Sequence, residues 1–278
     1  MSDAPLRSPW LAGNAPLVRR ARWRPALTLA ILILVLAWSY RGARVDPGAL
    51  LDGRQAMSRF VGRMFPPDLS ADFLGSVVRP FLETIQISIM GTFLGAALGF
   101  PLALLATRPA TTSARTRLLY LAVRTLLNLL RSVPKLVWAV IFIVAVGLGP
   151  YPGVLAIAVC STGCLGKLYA EVMEAVDEQP VIALRATGAP SLLVTAFGVL
   201  PQAWSNFVAL TLYEWEINVR EATILGFVGA GGLGQQIDIS MRLFQYNRTL
   251  TLLIIVLGLV TVVDRLSAWL RRRWALNY

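Results

Sequence analysis

A polar connector, Glu171–Gln202, joins two apolar segments of the chain and has the sequence EVMEAVDEQPVIALRATGAPSLLVTAFGVLPQ. Because it begins where one apolar run ends and finishes inside the next, it predicts a loop between two membrane spans. Residues 182–188 (IALRATG) predict a short helix that ends at Gly188, since glycine is the usual residue at a helix C-terminus. Leu200 and Pro201 follow Gly188 by twelve residues and lie in the next apolar segment.

The composition indicates a membrane protein. Of the 278 residues, 56% are hydrophobic and 15% are charged, and the mean hydropathy is +0.64, whereas a soluble domain has about a quarter charged residues. The net charge of +11 indicates arginine-rich cytoplasmic loops and no nucleic-acid partner, because nearly all of the core is apolar. The chain has no histidine, so the commonest metal ligand and general base are missing. We expect neither a catalytic residue nor a metal site.

Six apolar segments predict an all-α polytopic membrane protein with about six transmembrane helices. Glycines at four-residue spacing in the second segment predict close helix packing there. Pro134, in the long third segment, should kink or divide that span. The predicted spans are Ala26–Tyr40, Phe81–Ala106, Leu118–Gly147, Val154–Ala170, Leu192–Tyr213 and Leu250–Leu270.

Polar side chains inside the third segment are candidates for a solute path. Arg124, Asn128, Arg131 and Lys135 recur at helical spacing, which predicts one shared helix face. Charges within a span are costly and usually face a cavity or a partner, so one hypothesis is a cationic wall for an anionic solute. The alternative is that the first two reach the cytoplasmic interface and the others pair with acids.

A second charged cluster, EWEINVRE at residues 214–221, ends the fifth segment. Glu216 and Arg220 have the spacing of an intrahelical ion pair. Glu214 is expected to pair with Arg131 or Lys135 of a neighbouring helix. The cluster predicts either structural ion pairing near the outer interface or a gate.

The stretch Gly229–Gly234, GAGGLG, formally matches the dinucleotide-binding pattern G-x-G-x-x-G. No βαβ unit surrounds it, and no acidic residue follows at about twenty residues, so the match carries no nucleotide site. We predict a tight non-helical turn, which a membrane protein tolerates only where it is buried in protein or lines a wet cavity.

The connector resembles the "EAA" loop of ABC importer permeases, the surface that docks on the ATPase subunit. Ala183, Gly188, Leu200 and Pro201 match its pattern, whereas Ile182 replaces the usual glutamate. Together with residues 131–134 and 216–234, the connector makes the chain similar to the permeases of phosphonate ABC importers, over about residues 75–273. Gly198 is a further departure, since that family usually has isoleucine there.

This resemblance implies a type I importer permease core with a cytoplasmic coupling helix. It implies a second copy of the chain, two ATP-binding subunits and an extracytoplasmic phosphonate-type binding protein as partners in the lipid bilayer. ATP-Mg would bind to the partner ATP-binding subunit. This chain has no Walker A motif, and no cofactor is expected to bind to it. The expected ATPase-coupling residues are Ile182, Ala183, Leu184, Arg185, Gly188, Leu200 and Pro201, and those of the translocation path are Arg131, Lys135, Glu214, Arg220, Gly229, Gly231 and Gly232.

The expected organisation places both termini in the cytoplasm of a bacterial inner membrane, because four basic clusters then share one side. Its parts are a cytoplasmic tail at 1–24, a transmembrane anchor at 25–40, an extracytoplasmic loop at 41–77, a permease core at 78–273 with the coupling loop at 171–191, and a tail at 274–278.

The sequence thus predicts the transmembrane subunit of an ATP-driven importer for phosphonate or a related oxyanion such as phosphite or phosphate. The alternative is a stand-alone secondary transporter of a small anionic solute. That class typically carries inverted repeats with broken helices, and no internal repeat is evident here.

Overall fold

A computed structural model describes residues 23–43, 46, 48, 52–108 and 113–275, and this part of the chain is helical with no strand. It divides into two compact units, one up to Arg59 and one from Phe60 onward. The first unit holds helix α1, Trp23–Gly42, and the start of α2, Arg54–Met64. The second unit continues with α3 (Ala71–Ala106), α4 (Ala114–Ser132), α5 (Lys135–Val146), α6 (Pro150–Glu174), α7 (Glu178–Ala186), α8 (Ser191–Val194), a π-helix (Thr195–Val199), α9 (Leu200–Gly226), α10 (Gly232–Arg242) and α11 (Tyr246–Ala275).

Four helical segments of the described chain are long and apolar enough to cross a membrane: Ala71–Ala106, Pro150–Glu174, Ser191–Gly226 and Tyr246–Arg273. A fifth crossing results if α4 and α5 form one broken span. The first predicted span falls on α1, whose apolar stretch Leu27–Gly42 is shorter than these four. The helical fold class is therefore confirmed. Most of the two predicted tails, 1–24 and 274–278, lies outside the described residues.

Helices α3 and α6 cross at close range along the glycine stripe of α3. A Cβ atom at Gly95 would lie 2.5 Å from the Cβ of Ser161, and one at Gly99 would lie 3.0 Å from the backbone nitrogen of Gly166. Only residues without a side chain allow the two backbones to approach this closely. The prediction of tight packing at these glycines is confirmed.

The third predicted span is divided at Pro134. Helix α4 ends at Ser132 and α5 begins at Lys135, and the two are bent by 87°. Arg124 and Lys135 therefore lie on different helices, and the prediction of a face shared by all four polar residues is wrong. Proline breaks the span because it lacks an N–H and clashes with the preceding turn.

The break leaves Lys135 separated from the far end of α5 by the whole length of that helix. Its 12 residues extend about 18 Å at 1.5 Å per residue, which is little more than half of the hydrocarbon thickness of about 30 Å. Helix α5 alone is therefore too short to cross a membrane.

Helix α9 continues thirteen residues beyond the predicted end of the fifth span at Tyr213, because it ends at Gly226. The predicted end of the fifth span at Tyr213 was wrong because the charged residues after Tyr213 form ion pairs and hydrogen bonds with neighbouring helices of the bundle. The glycine turn, residues 227–231, then leads into α10. The prediction of a non-helical turn is confirmed for the first half of GAGGLG and is wrong for residues 232–234, which form the first turn of α10. Gly229, Gly231 and Gly232 have φ values of +95°, +79° and +71°, which glycine adopts without steric cost.

Candidate translocation path and coupling surface

The two ends of the bundle are named here by their residues. The connector end comprises the end of α3, the start of α4, the end of α6 and α7. The turn end comprises the starts of α3, α6 and α11 together with the glycine turn. The broken span places Lys135 between the two ends.

A buried ion pair joins α5 to α9. The Lys135 ammonium donates to the Asn218 side-chain oxygen at 2.7 Å and to the Glu214 carboxylate at 3.4 Å. Lys135 is 9% exposed and Glu214 is 6% exposed, so both charges are shielded from solvent. The expectation that Glu214 pairs with Lys135 or Arg131 is thus met by Lys135.

Small polar side chains complete this network on the neighbouring helices. Ser161 of α6 donates to the Glu214 carboxylate at 2.9 Å. The Asn218 amide donates to Ser161 at 2.9 Å and to Thr92 of α3 at 2.8 Å. Within the described residues, no buried side-chain nitrogen or oxygen lacks a hydrogen-bond partner. Four helices are therefore joined by one fully satisfied polar network, which we call the central network.

Arg131 differs from Lys135, although only three residues separate them. Arg131 is exposed, and no described residue forms an ion pair or a hydrogen bond with its guanidinium. It lies in the last turn of α4, beside the break. A charge within a span that has no partner in its own chain usually faces a water-filled cavity or another subunit.

Arg220 belongs to a different cluster, between α9 and α11. It pairs with Glu216 of its own helix at 3.3 Å, as its spacing predicted, and with Asp264 at 3.1 Å. Arg271 binds the other oxygen of the Glu216 carboxylate at 3.2 Å. The side chains of Arg220 and Asp264 are 41% and 40% exposed. These half-exposed charges indicate that this face meets water or protein rather than lipid.

The glycine turn is fixed at the turn end by backbone hydrogen bonds. The Gly149 N–H donates to the Gly229 carbonyl at 3.0 Å, and the Gly232 N–H donates to the Glu83 carboxylate at 3.3 Å. A Cβ atom at Gly231 would lie 3.1 Å from Pro150. The three predicted path glycines thus lie at one end of the bundle and do not contact the central network.

Asp68 anchors the same end outside the spans. The Ser70 hydroxyl and the Ser70 N–H donate to its carboxylate at 2.7 and 3.1 Å, and Arg248 of α11 binds it at 3.0 Å. The Ser70 hydroxyl, then the Ser70 N–H and then Arg248 lower the pKa of Asp68 below its usual value.

Helix α7 carries most of the predicted coupling residues at the connector end. It begins because the Asp177 side chain accepts a hydrogen bond from the Gln179 N–H at 3.0 Å, a typical N-cap. It ends at Ala186, and Gly188 follows two residues later, with a φ of +79° and open space around the position of a Cβ atom. Ile182, Ala183 and Arg185 are exposed, and Leu184 is half-buried. Leu200 and Pro201 lie instead in the first turn of α9, where proline is favoured.

A cleft of about 840 Å³ lies beside α7. Glu174 lines it and accepts hydrogen bonds from the Arg108 N–H at 3.0 Å and from the Arg124 guanidinium at 3.3 Å. Arg124 also contacts Tyr120. Arg124 therefore pairs with an acid at the connector end. The alternative interpretation expected acidic partners for Arg131 and Lys135 instead, and among the described residues only Lys135 of these two has one.

Four residues that matter to this geometry escaped sequence reasoning: Thr92, Ser161, Glu174 and Gln202. Thr92 and Ser161 are small hydroxyl residues in apolar spans, where such residues usually bond to their own helix, as Thr92 also does to the Ser88 carbonyl at 2.6 Å. Glu174 and Gln202 lie at the two ends of the connector, and their position next to a recognisable motif was the available signal.

The comparisons with known proteins decide the family. The family model of the binding-protein-dependent transport system inner membrane component matches residues 99–276. The chain belongs to this family.

As a member of the binding-protein-dependent transport family, the chain is a permease, a multi-pass membrane component that is not itself the ATPase. It is 39% identical to the phosphite transport system permease protein PtxC of Stutzerimonas stutzeri over 91% of this chain and 90% of that one. It is 36% identical to the putative phosphite transport system permease protein HtxC of the same organism over 91% and 87%.

A solved inward-facing structure of the MetNI methionine ABC transporter resembles the fold. Its TM-score is 0.65 at 25% identity, and the match covers 74% of this chain and 99% of that one. The type I importer permease fold expected from the connector and GAGGLG is therefore confirmed.

Proposed function

We propose that this chain is the transmembrane subunit of an ATP-driven importer for phosphonate or a related oxyanion, phosphite or phosphate. The observation that carries this proposal is the similarity to the phosphite permease PtxC along nine-tenths of both chains. The helix break at Pro134 supports it as well, because two cationic side chains, Arg131 and Lys135, flank it within an apolar segment.

The proposed complex contains two copies of this chain, two ATP-binding subunits that hold ATP-Mg, and an extracytoplasmic binding protein. No cofactor binds this chain. The connector end faces the cytoplasm of a bacterial cell and the turn end faces outward, with both termini inside. The arginines at 115 and 117 support this orientation, since they lie at the connector end in the first turn of α4.

The proposed mechanism is alternating access. Closure of the ATPase dimer moves the α7 helices together and opens the bundle towards the binding protein. Arg131, which has no ion-pair partner among the described residues, then attracts the oxyanion from the binding protein, while Glu214 neutralises Lys135 and so keeps the central network closed. Arg220 and the glycines at 229, 231 and 232 line the path nearer its ends. ATP hydrolysis resets the bundle to the inward-facing state.

The exposed surface of α7 is the proposed contact with the ATPase. Ile182 is 51% exposed, and Leu192 and Phe197, just beyond Gly188, are exposed as well. An apolar surface of this kind suits a protein partner. We therefore expect the ATPase subunit to dock on this chain through apolar contact with Ile182, where the family usually has glutamate.

The test is ATP hydrolysis and uptake by the chain in lipid vesicles with its ATPase and binding protein. Methylphosphonate, phosphite, phosphate and sulfate are added in turn. Stimulation by one phosphorus oxyanion and not by sulfate supports the proposal. Uptake without the ATPase would instead establish the stand-alone secondary transporter.

The role of Arg131 is tested in the same vesicles. Arg131→Gln is expected to reduce uptake of the stimulating oxyanion at least tenfold, roughly the effect of removing one charged hydrogen bond. Arg117→Gln is the matched control, since Arg117 is also an exposed arginine of α4 but lies near its connector end. Equal activity of both variants would remove Arg131 from the path.

A further inference from the structure

The amide of Gln202 ties helix α7 to helix α9. Its oxygen accepts from the Asp177 N–H at 3.2 Å, and its nitrogen donates to the Asp177 carbonyl at 3.4 Å. The same nitrogen donates to the Gly198 carbonyl of the π-helix at 2.6 Å. One neutral side chain thus joins the start of α7, the π-helix and the start of α9.

Both residues in this tie lie at helix starts. Asp177 is the N-cap of α7, and Gln202 lies in the first turn of α9. In the described chain, every hydrogen bond between residues 177–188 and α9 passes through Gln202. A displacement of α7 therefore reaches the start of α9 through this amide and through side-chain packing.

The packing beside the tie is equally close. A Cβ atom at Gly198 would lie 3.0 Å from the Leu184 side chain and 3.6 Å from the Val181 backbone. Val181 is buried, so the inner face of α7 rests on the π-helix at the one residue that has no side chain. A π-helix interrupts the regular backbone ladder and often marks a functional site, and here the Gly198 carbonyl inside it accepts a hydrogen bond from Gln202.

The far part of α9 carries the central network. Glu214 and Asn218 bind Lys135 beside the helix break. Since α9 is one continuous helix from Leu200 to Gly226, a movement of its first turn reaches these residues without an intervening joint.

We infer that Gln202 is a positioning residue that transmits the movement of α7 to α9 and thereby sets how much transport follows each ATP hydrolysed. This inference rests on the proposed function, and it names the side chain through which the coupling surface acts on the path. Gln202 contacts neither the solute nor the ATP.

The test compares Gln202→Leu with the wild-type chain in the reconstituted complex. Leucine keeps the approximate size of the side chain and removes all three hydrogen bonds. Uptake per ATP hydrolysed is expected to fall about tenfold, the effect of losing one to three neutral hydrogen bonds, while ATPase binding and the rate of ATP hydrolysis stay near the wild-type values. Thr195→Val is the matched control, because the Thr195 hydroxyl bonds only to the Ser191 carbonyl nearby.

Two further variants separate transmission from a structural role. Gln202→Glu keeps the oxygen that accepts from Asp177 and loses both donated bonds, so its uptake per ATP should lie between those of Gln202→Leu and the wild type. Gly198→Ala leaves the amide intact and pushes against Leu184, and it should also lower uptake per ATP. If Gln202→Leu does not assemble with the ATPase, uptake per ATP hydrolysed in these two variants tests whether Gln202 transmits the movement of α7.

Uptake per ATP that is unchanged in Gln202→Leu would overturn the inference. If Gln202→Leu fails to assemble, unchanged uptake per ATP in both Gln202→Glu and Gly198→Ala would overturn it. An equal fall in uptake per ATP in the control Thr195→Val would overturn it as well. These results leave the proposed function intact, because the wild-type complex still shows oxyanion-stimulated hydrolysis. A wild-type complex that no oxyanion stimulates contradicts the proposed function itself and removes the basis of this inference.

Discussion

Two polar junctions lie far apart along helix α9: the central network, and Gln202 at the connector. The central network contains a charged pair of which Lys135 is 9% exposed and Glu214 is 6% exposed. Gln202 is neutral, exposed, and bonds only to backbone atoms. The two junctions therefore differ both in charge and in access to water.

This difference has a consequence for movement. Breaking the buried pair leaves a charge without compensation in a region of low polarity, which is strongly unfavourable. Breaking the Gln202 bonds exchanges them for bonds to water at small net cost. The membrane part of α9 is thus suited to move as a rigid unit with α5, whereas the connector part is suited to adjust to a partner.

The strongest test of the comparison is the removal of one charge from the central network. Lys135→Met should lower the free energy of unfolding by about 3–5 kcal/mol, because Glu214 is left buried and unpaired. Thermal unfolding of the purified chain in detergent measures this loss.

The control for this variant is Lys167→Met, which removes the partly exposed Lys167–Glu171 pair at 3.8 Å. Such a pair contributes at most about 1 kcal/mol. The double variant Lys135→Met/Glu214→Met should recover much of the stability. Equal losses in the two single variants would show that the central network is no more important than a surface pair.

A third junction of α9 contains no side chains at all. At its end it crosses α10, where a Cβ atom at Gly234 would lie 3.0 Å from the Gly226 Cα atom and 2.9 Å from the Thr223 carbonyl carbon. Gly234→Ala should cost about 1–3 kcal/mol by overpacking. The control is Gly258→Ala in α11, with nothing within 4 Å; it should gain up to about 1 kcal/mol from helix propensity. Thermal unfolding that ranks the two variants in the opposite order would contradict the close crossing.

The turn after α7, at Gly188, tests whether the connector sets the coupling between ATP hydrolysis and uptake. A valine at its φ of +79° should cost about 1–2 kcal/mol and displace the end of α7. We expect reduced uptake per ATP in the reconstituted complex, and a loss of thermal stability no larger than this cost. Gly188→Asn is the control, because asparagine tolerates this backbone conformation. Wild-type coupling in Gly188→Val would mean that this turn does not position α7.

The smallest effect is expected at Asp68, an ion pair outside the spans. Its pKa is lowered in the folded chain, so its stabilising contribution is present above the unfolded pKa of about 3.9 and is lost as the pH falls through the lower folded value. Asp68→Asn should remove this part of the acid sensitivity in unfolding experiments between neutral pH and pH 3. An unchanged pH profile would show that the contacts of Asp68 with Ser70 and Arg248 add nothing to stability.

The sequence predicted the elements that leave a periodic or local signal. The glycine stripe of α3, the break at Pro134 and the glycine turn were each expected, because glycine and proline restrict the backbone in ways that depend little on distant residues. The Glu216–Arg220 pair was expected for the same reason, since its two residues are neighbours on one helix.

The sequence could not predict contacts that depend on how helices cross. Lys135 was placed on one face with Arg124 because helical periodicity takes no account of an 87° bend. Gln202 and Asp177 are 25 residues apart, and nothing in their local sequence indicates that they bond. Ile182 illustrates the limit of family patterns, since only the structure shows that its side chain is half exposed.

The depth of the helix break has an electrical consequence for the proposed importer. Moving one negative charge inward against a membrane potential of 100 mV costs about 2.3 kcal/mol, and a dianion costs twice that. In the proposed orientation, the positive end of the α5 dipole and Arg131 would lie part-way through this field, because α5 is too short to cross the membrane. The break would then divide one long uphill step for an anion into two shorter steps, and the voltage across the cell membrane would become part of the work that each ATP must do.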